Sequence, residues 1–384
     1  MRGKNKKWNI GKAINRTLTV IIFLINIIVI ALLLVSICAW YIPPYKSAIP
    51  SYLGLAFPFI LIANIFFMLF WLILFKWKLF LADLIILLLC WSPIFTYFPV
   101  HRKTKEIPDD CIKILSYNVR GFNWTMGSEA RKNPIFDYMN ESGADIICLQ
   151  EFVMDNYKPD PKGIISIREF DNILKDYPYR SIVKFGHSRN RYSFGVACYS
   201  KYPILKTTEI PIQSTTNGSV LYEIKIKDKV ISLINNHLES NRITSEDKKL
   251  YRDFLEIKDR EHLDEVTTNI RNRLGIAYRV RAYQADIIAH WIQNRETDAT
   301  IVCGDFNDTP ISYTYNTIKG KNLLEDSFAN TGLGQGITYH ENMFWFRIDF
   351  IMHSRNIESY NFTVDQDIKY SDHHPIYTYL RFKD

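Results

Sequence analysis

Hydrophobic side chains are spread very unevenly along these 384 residues. Three long apolar stretches, at about 18–40, 52–75 and 79–98, follow one another near the N-terminus. Each reaches the roughly 20 residues that a helix needs to cross the hydrocarbon core of a bilayer. The first reads LTVIIFLINIIVIALLLVSICAW, with one Asn and one Ser as its only notably polar side chains. A cleaved signal peptide has a shorter apolar core, of about 7–15 residues, so this stretch is expected to be a retained helix. Pro58 near the start of the second stretch is tolerated in a transmembrane helix. Asp83 in the third reads as a carboxylate near the interface, beside the lysines of the KWK turn, rather than as an ion site. Trp40, Tyr41, Trp71 and Trp77 read as interfacial aromatic belts.

After Pro108 the pattern changes to short apolar runs separated by turn residues. KILSYNV (113–119), DIICLQE (145–151), YRSIVKF (179–185), FGVACYS (194–200), VLYEIKI (220–226), VISLINNH (230–237) and TIVCGDF (300–306) read as strands. Several are apolar on both faces, as in central strands covered on two sides. Residues 130–142 and 277–294 read as helices. A charged helical insertion at 245–274 carries Leu250, Phe254 and Ile257 at i, i+4 and i+7. Strands mixed with helices predict an α/β or α+β sandwich rather than a bundle. The expected organisation is a basic cytoplasmic tail (1–17), three transmembrane helices (18–98), a linker (99–108) and one large domain (109–384).

Charge sharpens this division. The net charge of +7 is the sum of +10 over residues 1–108 and −3 over the rest. The basic balance therefore belongs to the apolar end and is no sign of a nucleic-acid groove, which needs positive charge in the folded domain. Basic flanks also give orientation: eight lie in the N-terminal tail and the 76–78 turn, against four on the other side. Three crossings then place the N-terminus in the cytoplasm and residue 109 onward outside it. The six cysteines show no paired spacing for zinc or a disulfide framework. Cys148, Cys198 and Cys303 lie inside apolar runs, as small buried hydrophobes do.

Polar residues recur at the strand ends. Asn118 closes the first strand, Glu151 the second and His237 the LINNH strand, while Asp305 and Asn307 lie in GDFND. Asp349 lies in RIDFIM, and Asp372 and His373 in SDHHPI. Singly, each is an ordinary turn or capping residue. Together, SYNVRGF, CLQEF, NNHLES, GDFND, RIDFIM and SDHHPI appear in the order found in the endonuclease/exonuclease/phosphatase superfamily, which residues 110–384 resemble. The resemblance implies a four-layer α/β (α+β) sandwich of two packed, mainly antiparallel β-sheets flanked by helices. It also implies metal-assisted hydrolysis of a phosphoester.

By that resemblance Glu151 holds the metal, with Asn118 and Asp349 nearby. Asp305 positions or deprotonates the attacking water, Asn307, Asn118 and His237 contact the phosphate, and His373 contacts a phosphate oxygen or handles the proton with Asp372 orienting it. Hard oxygen donors without a Cys or His cluster suit Mg²⁺ or Mn²⁺, as one or two ions. Which of Asp305 and His373 is the general base stays open at this point. In the deoxyribonuclease branch a Glu partners the histidine at the position of His237, and NRYSF (190–194) offers no acid for that role. The expected protein is a phosphoesterase held in the lipid bilayer by three helices, acting on a lipid headgroup or a small phosphodiester. The alternatives are a surface nuclease acting on nucleic acid and a non-catalytic membrane scaffold.

Overall fold

The computed structural model describes residues 4–155, 159–185, 192–214, 216–241, 260–341 and 345–383. The N-terminal part contains α1 (Lys4–Ile37), α2 (Ile49–Leu55), α3 (Phe57–Ile73), α4 (Trp77–Leu89) and α5 (Trp91–Tyr97). Among the described residues, one helical segment, Asn15–Trp40, is long and apolar enough by itself to cross a membrane. The second and third expected helices are instead bent pairs, with 71° between α2 and α3 and 65° between α4 and α5. Proline explains the first break. Pro58 stands in the opening turn of α3, where its missing N–H costs nothing, whereas its ring clashes with a helix continuing from the N-terminal side. Pro93 stands likewise in the first turn of α5. At 1.5 Å per residue, α3 is about 26 Å long and α4 about 20 Å, each short of a full crossing by itself.

Polar contacts tie these helices together. Trp71 Nε1 donates to Asn26 Oδ1 at 2.7 Å, and Asn64 Nδ2 donates to the Val29 carbonyl at 3.2 Å. Asp83, expected at the interface, is buried beside Asn26 instead. Trp71 and Trp40 are likewise buried rather than forming a belt, because each indole N–H finds a partner inside the fold.

The remainder contains β1 (Ile112–Asn118), α6 (Gly127–Arg131), α7 (Pro134–Glu141), β2 (Ile146–Asp155), α8 (Ile167–Ile173), β3 (Tyr179–Phe185), β4 (Tyr192–Ser200), β5 (Ile204–Ile210), β6 (Gly218–Ile226) and β7 (Lys229–His237). There follow α9 (Arg260–Gln293), β8 (Ala299–Asp305), α10 (Tyr313–Lys319), β9 (Leu324–Asp326), α11 (Ser327–Thr331), β10 (Asp349–Ser354), β11 (Ile357–Val364) and β12 (Ile376–Phe382). The expected helix at 130–142 is two, α6 and α7, separated where Pro134 starts the second under an Asn133 cap. Residues 260–274 of the expected insertion belong to the long α9; residues 245–259, with the Leu250, Phe254 and Ile257 stripe, lie outside the described residues.

Two six-stranded mixed sheets result, in the orders β11-β12-β1-β2-β4-β3 and β5-β6-β7-β8-β10-β9. Among the described strands, β1/β2 and β7/β8 pair in parallel and the other neighbours pair antiparallel. The inner faces meet in a core that includes Ile114, Ile146, Val196, Leu233, Ile301 and Ile351. The three strand cysteines Cys148, Cys198 and Cys303 are fully buried in this core. The outer face of the first sheet packs on α7 and α8, and that of the second on α9 and α10. The two parallel pairs lie at the centres of their sheets, so their carboxyl ends open at one place, which is where ligands bind in sheets of this kind.

The apolar helices dock directly onto this sandwich. Trp40 Nε1 donates to the Pro310 carbonyl at 2.7 Å, and Asn316 Nδ2 donates to the Trp40 carbonyl at 2.9 Å. Ile311 joins a cluster with Leu33, Trp40, Phe57, Leu61 and Tyr97. Gly54 makes this contact possible, since a Cβ there would stand 2.2 Å from the Ile311 carbonyl oxygen. On the far side, buried Arg347 pairs with Asp326 at 2.9 Å and also donates to the Thr96 carbonyl at the end of α5.

Candidate active site

Local backbone devices aim the polar residues at the opening. Immediately after β1, Arg120, Gly121, Phe122, Asn123 and Trp124 all have φ between 46° and 59°, a left-handed turn that L-residues seldom sustain. Phe122, packed 5.2–5.7 Å from the rings of Phe136, Phe152 and Phe170, holds the turn in place. Its consequence is that the Arg120 N–H donates to Asn118 Oδ1 at 3.0 Å, leaving the Asn118 Nδ2 facing two carboxylates. That nitrogen donates to Glu151 Oε1 at 3.2 Å and to Asp305 Oδ2 at 3.0 Å.

Glu151 sits at a bulge. The β2/β4 register shifts between Leu149 and Phe152, and Glu151 has φ 51°. Such a bulge re-aims a side chain, and the Glu151 side chain keeps 38% of its surface exposed in the opening. Its neighbour Gln150 turns inward and donates to Asn235 Oδ1 at 2.7 Å, linking the two sheets.

On the second sheet, Asp305 pairs in register with His237 on one side and with Asp349 on the other. Gly304 permits this closeness: its φ is +118°, and a Cβ would meet the Asn236 carbonyl oxygen at 2.0 Å. Asp305 Oδ1 accepts from the Asn307 N–H at 2.7 Å, and Asn307 Nδ2 donates to the Leu238 carbonyl at 3.0 Å. His373 donates through Nδ1 to Asp349 Oδ2 at 2.8 Å, with its Nε2 3.7 Å from Asp305 Oδ2. Tyr339 packs edge-on against the imidazole, 5.1 Å between centroids.

The electrostatics follow from this burial. Desolvation opposes a charge on His373, but Asp349 and then Asp305 outweigh it and push the imidazole up to about 10. Asp305 is pushed up to about 7, by burial first and by the Asp349 carboxylate second. His237 is held below its ordinary value, because burial outweighs the attraction of Glu151, whose Oε1 lies 3.5 Å from Nε2.

The structure thus brings Asn118, Glu151, His237, Asp305, Asn307, Asp349 and His373 to one place. One expected assignment changes. Asp349, expected near the metal, lies beside Asp305 and hydrogen-bonds His373. Asp372, expected to orient that histidine, turns toward Ser371 (3.2 Å) and Arg120 Nε (3.6 Å). Adjacent residues on a chain leaving a loop point in different directions, whereas β10 carries Asp349 beside the ring from another strand. Asn217 was missed: its Nδ2 lies 3.2 Å from His237 Nε2, and only the Asn-Gly turn signal before β6 marked it. Of NRYSF, residues 190–191 lie outside the described residues; 192–194 belong to β4.

A hard divalent cation fits the donor set. Two carboxylate oxygens, from Glu151 and Asp305, converge on the single Asn118 amide nitrogen, and such convergence of negative charge is relieved by a cation. Asp305, Asp349 and His373 also form a buried group whose ligand atoms lie within 4.8 Å of one another. The hydrogen bond from His373 to Asp349 suits that trio to proton handling and leaves the partly exposed Glu151 carboxylate as the group that could hold the cation. Asn118, expected as a ligand, turns its amide nitrogen rather than its oxygen toward the carboxylates.

A model of the Endonuclease/Exonuclease/phosphatase family matches residues 115–373, and a domain of unknown function (DUF8431) matches residues 19–97. No curated protein sequence matches the chain. Among solved structures, the catalytic domain of human Nocturnin with a bound sulfate anion is similar at TM-score 0.51 and 16% identity, over 74% of this chain and 97% of that one. A family protein from Leptotrichia buccalis is similar at TM-score 0.49 and 17% identity, over 71% of this chain and 100% of the other.

Proposed function

Since this chain belongs to the endonuclease/exonuclease/phosphatase family, whose members are hydrolases acting on phosphodiester bonds, we propose that it is a membrane-anchored phosphodiesterase dependent on Mg²⁺ or Mn²⁺. The observation that carries this reading is the meeting of Asn118, Glu151, His237, Asp305 and the Asp349–His373 pair at the mouths of the two parallel strand pairs. A cation held by Glu151 would supply Lewis-acid polarisation of the phosphoryl oxygens.

The chain's own groups do the rest. Asp305, with an affinity for protons poised near neutrality, accepts a proton from the attacking water. The water oxygen forms the new bond to phosphorus as the ester P–O bond breaks; the leaving alkoxide takes a proton from solvent water, and Asp305 releases its own to solvent afterwards. His373 is held as an imidazolium and directs its Nε2–H at the charge developing on the phosphoryl oxygens. Asp349 fixes the orientation of that ring. His237, kept neutral by burial, and the Asn307 amide contact the phosphate. In this reading Asp305 is the base and His373 the electrostatic partner.

Residues 18–98 anchor the enzyme, with the N-terminus cytoplasmic and residues 109–384 on the opposite side. The charge of −3 over residue 109 onward argues against a nuclease, the competing assignment. The test is hydrolysis of bis(p-nitrophenyl) phosphate by the full chain in detergent, with Mg²⁺, Mn²⁺ or EDTA, beside Asp305→Ala. Metal-dependent turnover that the substitution abolishes is expected. Turnover unaffected by EDTA, or by the substitution, refutes the assignment.

A further inference from the structure

The catalytic centre lies in a cleft of about 230 Å³ lined by residues of two kinds. Glu151, Asp305, Asn307 and His373 are polar. Leu55, Ile270, Leu274, Phe346 and Ile348 supply its apolar wall. Neither the reaction nor the cation makes use of that wall. Ile270 and Leu274 lie one helical turn apart on α9, so they present a single face. Leu55 comes from outside the sandwich altogether. It is the last residue of α2, separated from α3 by Ala56 alone, and α3 packs on α1 through Phe57, Leu61 and Leu33.

The apolar wall is therefore continuous with the helices that carry the membrane segment. The acidic residues of the cleft lean on the same helices, because Asp308 and Thr309 line it while Ile311, two residues on, belongs to the cluster around Trp40 and Phe57. Charge narrows the occupant further. Among the described residues the lining includes four carboxylates and no Lys or Arg. A polynucleotide needs several cations along its backbone. A molecule with one phosphate and a hydrocarbon portion needs one catalytic centre and one apolar surface.

We infer that the substrate is an amphiphile of the kind a bilayer supplies: a single phosphodiester esterified to a hydrocarbon chain. Its phosphate sits at the Glu151–Asp305–His373 cluster, and the first carbons of its chain lie against Leu55, Ile270 and Phe346. This inference rests on the phosphodiesterase reading above and adds the class of substrate to it.

The experiment uses the full chain in nanodiscs with Mg²⁺ and a ladder of alkyl p-nitrophenyl phosphates (methyl, butyl, hexyl and octyl), each below its micellar concentration. Burial of each added methylene is expected to raise kcat/KM up to about fourfold until the wall is covered. The ladder is then repeated with Ile270→Gln and with Leu55→Gln, two variants so that a failure of either to fold leaves the other. Their ladders are expected to be markedly flatter than that of the parent chain. A ladder equally steep in both variants would mean simple partitioning into the nanodisc and overturns the inference. So does a flat ladder in an enzyme that turns over the methyl ester, which leaves the phosphodiesterase reading standing. A single-stranded oligonucleotide cleaved with higher kcat/KM than the octyl ester overturns it in favour of a nuclease. No turnover of any substrate removes both readings together.

Discussion

Replacing Asp349 by Asn tests the division of labour between the carboxylates. Asp349 Oδ2 lies 2.8 Å from His373 Nδ1, both residues are almost wholly buried, and Asp349 is the stronger of the two attractions that hold the proton on the ring. Raising an imidazole from 6.5 to about 10 favours its charged form by about 5 kcal/mol, at 1.36 kcal/mol per tenfold. An opposite charge at such a distance accounts for about 1–3 pH units. The imidazolium is the working form and His373 has a raised value, so its contribution to turnover is complete well below 10 and is lost as pH rises through about 10. The parent enzyme should therefore show an acid limb where Asp305 ionises, drawn below 7 by the bound cation, and an alkaline limb near 10. In Asp349→Asn the alkaline limb should fall by about 1–3 pH units. An amide can also donate to Nδ1 and select the wrong tautomer, a change that costs about 10⁴ in kcat in a serine-protease triad. The assay is kcat against pH for p-nitrophenyl methyl phosphate with saturating Mg²⁺. An unmoved alkaline limb with a sharply raised Mg²⁺ requirement would refute the reasoning and return Asp349 to the metal.

Further tests address the supports of the site. Arg347→Met strands the fully buried Asp326 carboxylate and should cost about 3–5 kcal/mol in denaturant unfolding. Much of that loss should return in Arg347→Met/Asp326→Leu, where no charge is left unpaired. Gly54→Ala drives a Cβ against the Ile311 carbonyl and should destabilise the docked helices by about 1–3 kcal/mol, read from thermal unfolding in detergent. Mg²⁺ at a hundred times its dissociation constant should stabilise the parent chain by about 2.7 kcal/mol. The same titration should show little effect in Glu151→Gln.

The strands that carry the site could be read from the sequence because each joins an apolar run to a polar end. YRSIVKF coincides with β3, and β1, β7 and β8 lie within one residue of expectation at each end. Their order along the chain brought the ligands and the histidines to one list. What periodicity does not encode is which way a side chain turns after the strand ends. Asp372 adjoins His373 in sequence, yet Asp349 from β10 reaches the ring. Asn217 escaped because an Asn-Gly pair signals a turn and hides the separate contact its amide makes with His237. Hydropathy likewise measured apolar length at 52–75 and 79–98 without registering that Pro58 and Pro93 open new helices there.

The strand order of the first sheet also governs when the enzyme becomes an enzyme. β1 lies between β2 and β12, and Ile112 faces Leu380, 268 residues further along. At about 5–20 residues per second of synthesis, β1 waits on the order of tens of seconds for that neighbour. Its outer edge stays open through the interval, while the apolar helices are already made and tether it. Ser371 Oγ, which donates to the Asn118 carbonyl at 2.8 Å, and His373 arrive in the same final stretch of chain. Closure of the sheet and completion of the catalytic centre are thus a single late event, so a chain that stops short of β12 has an unsealed sheet edge along β1.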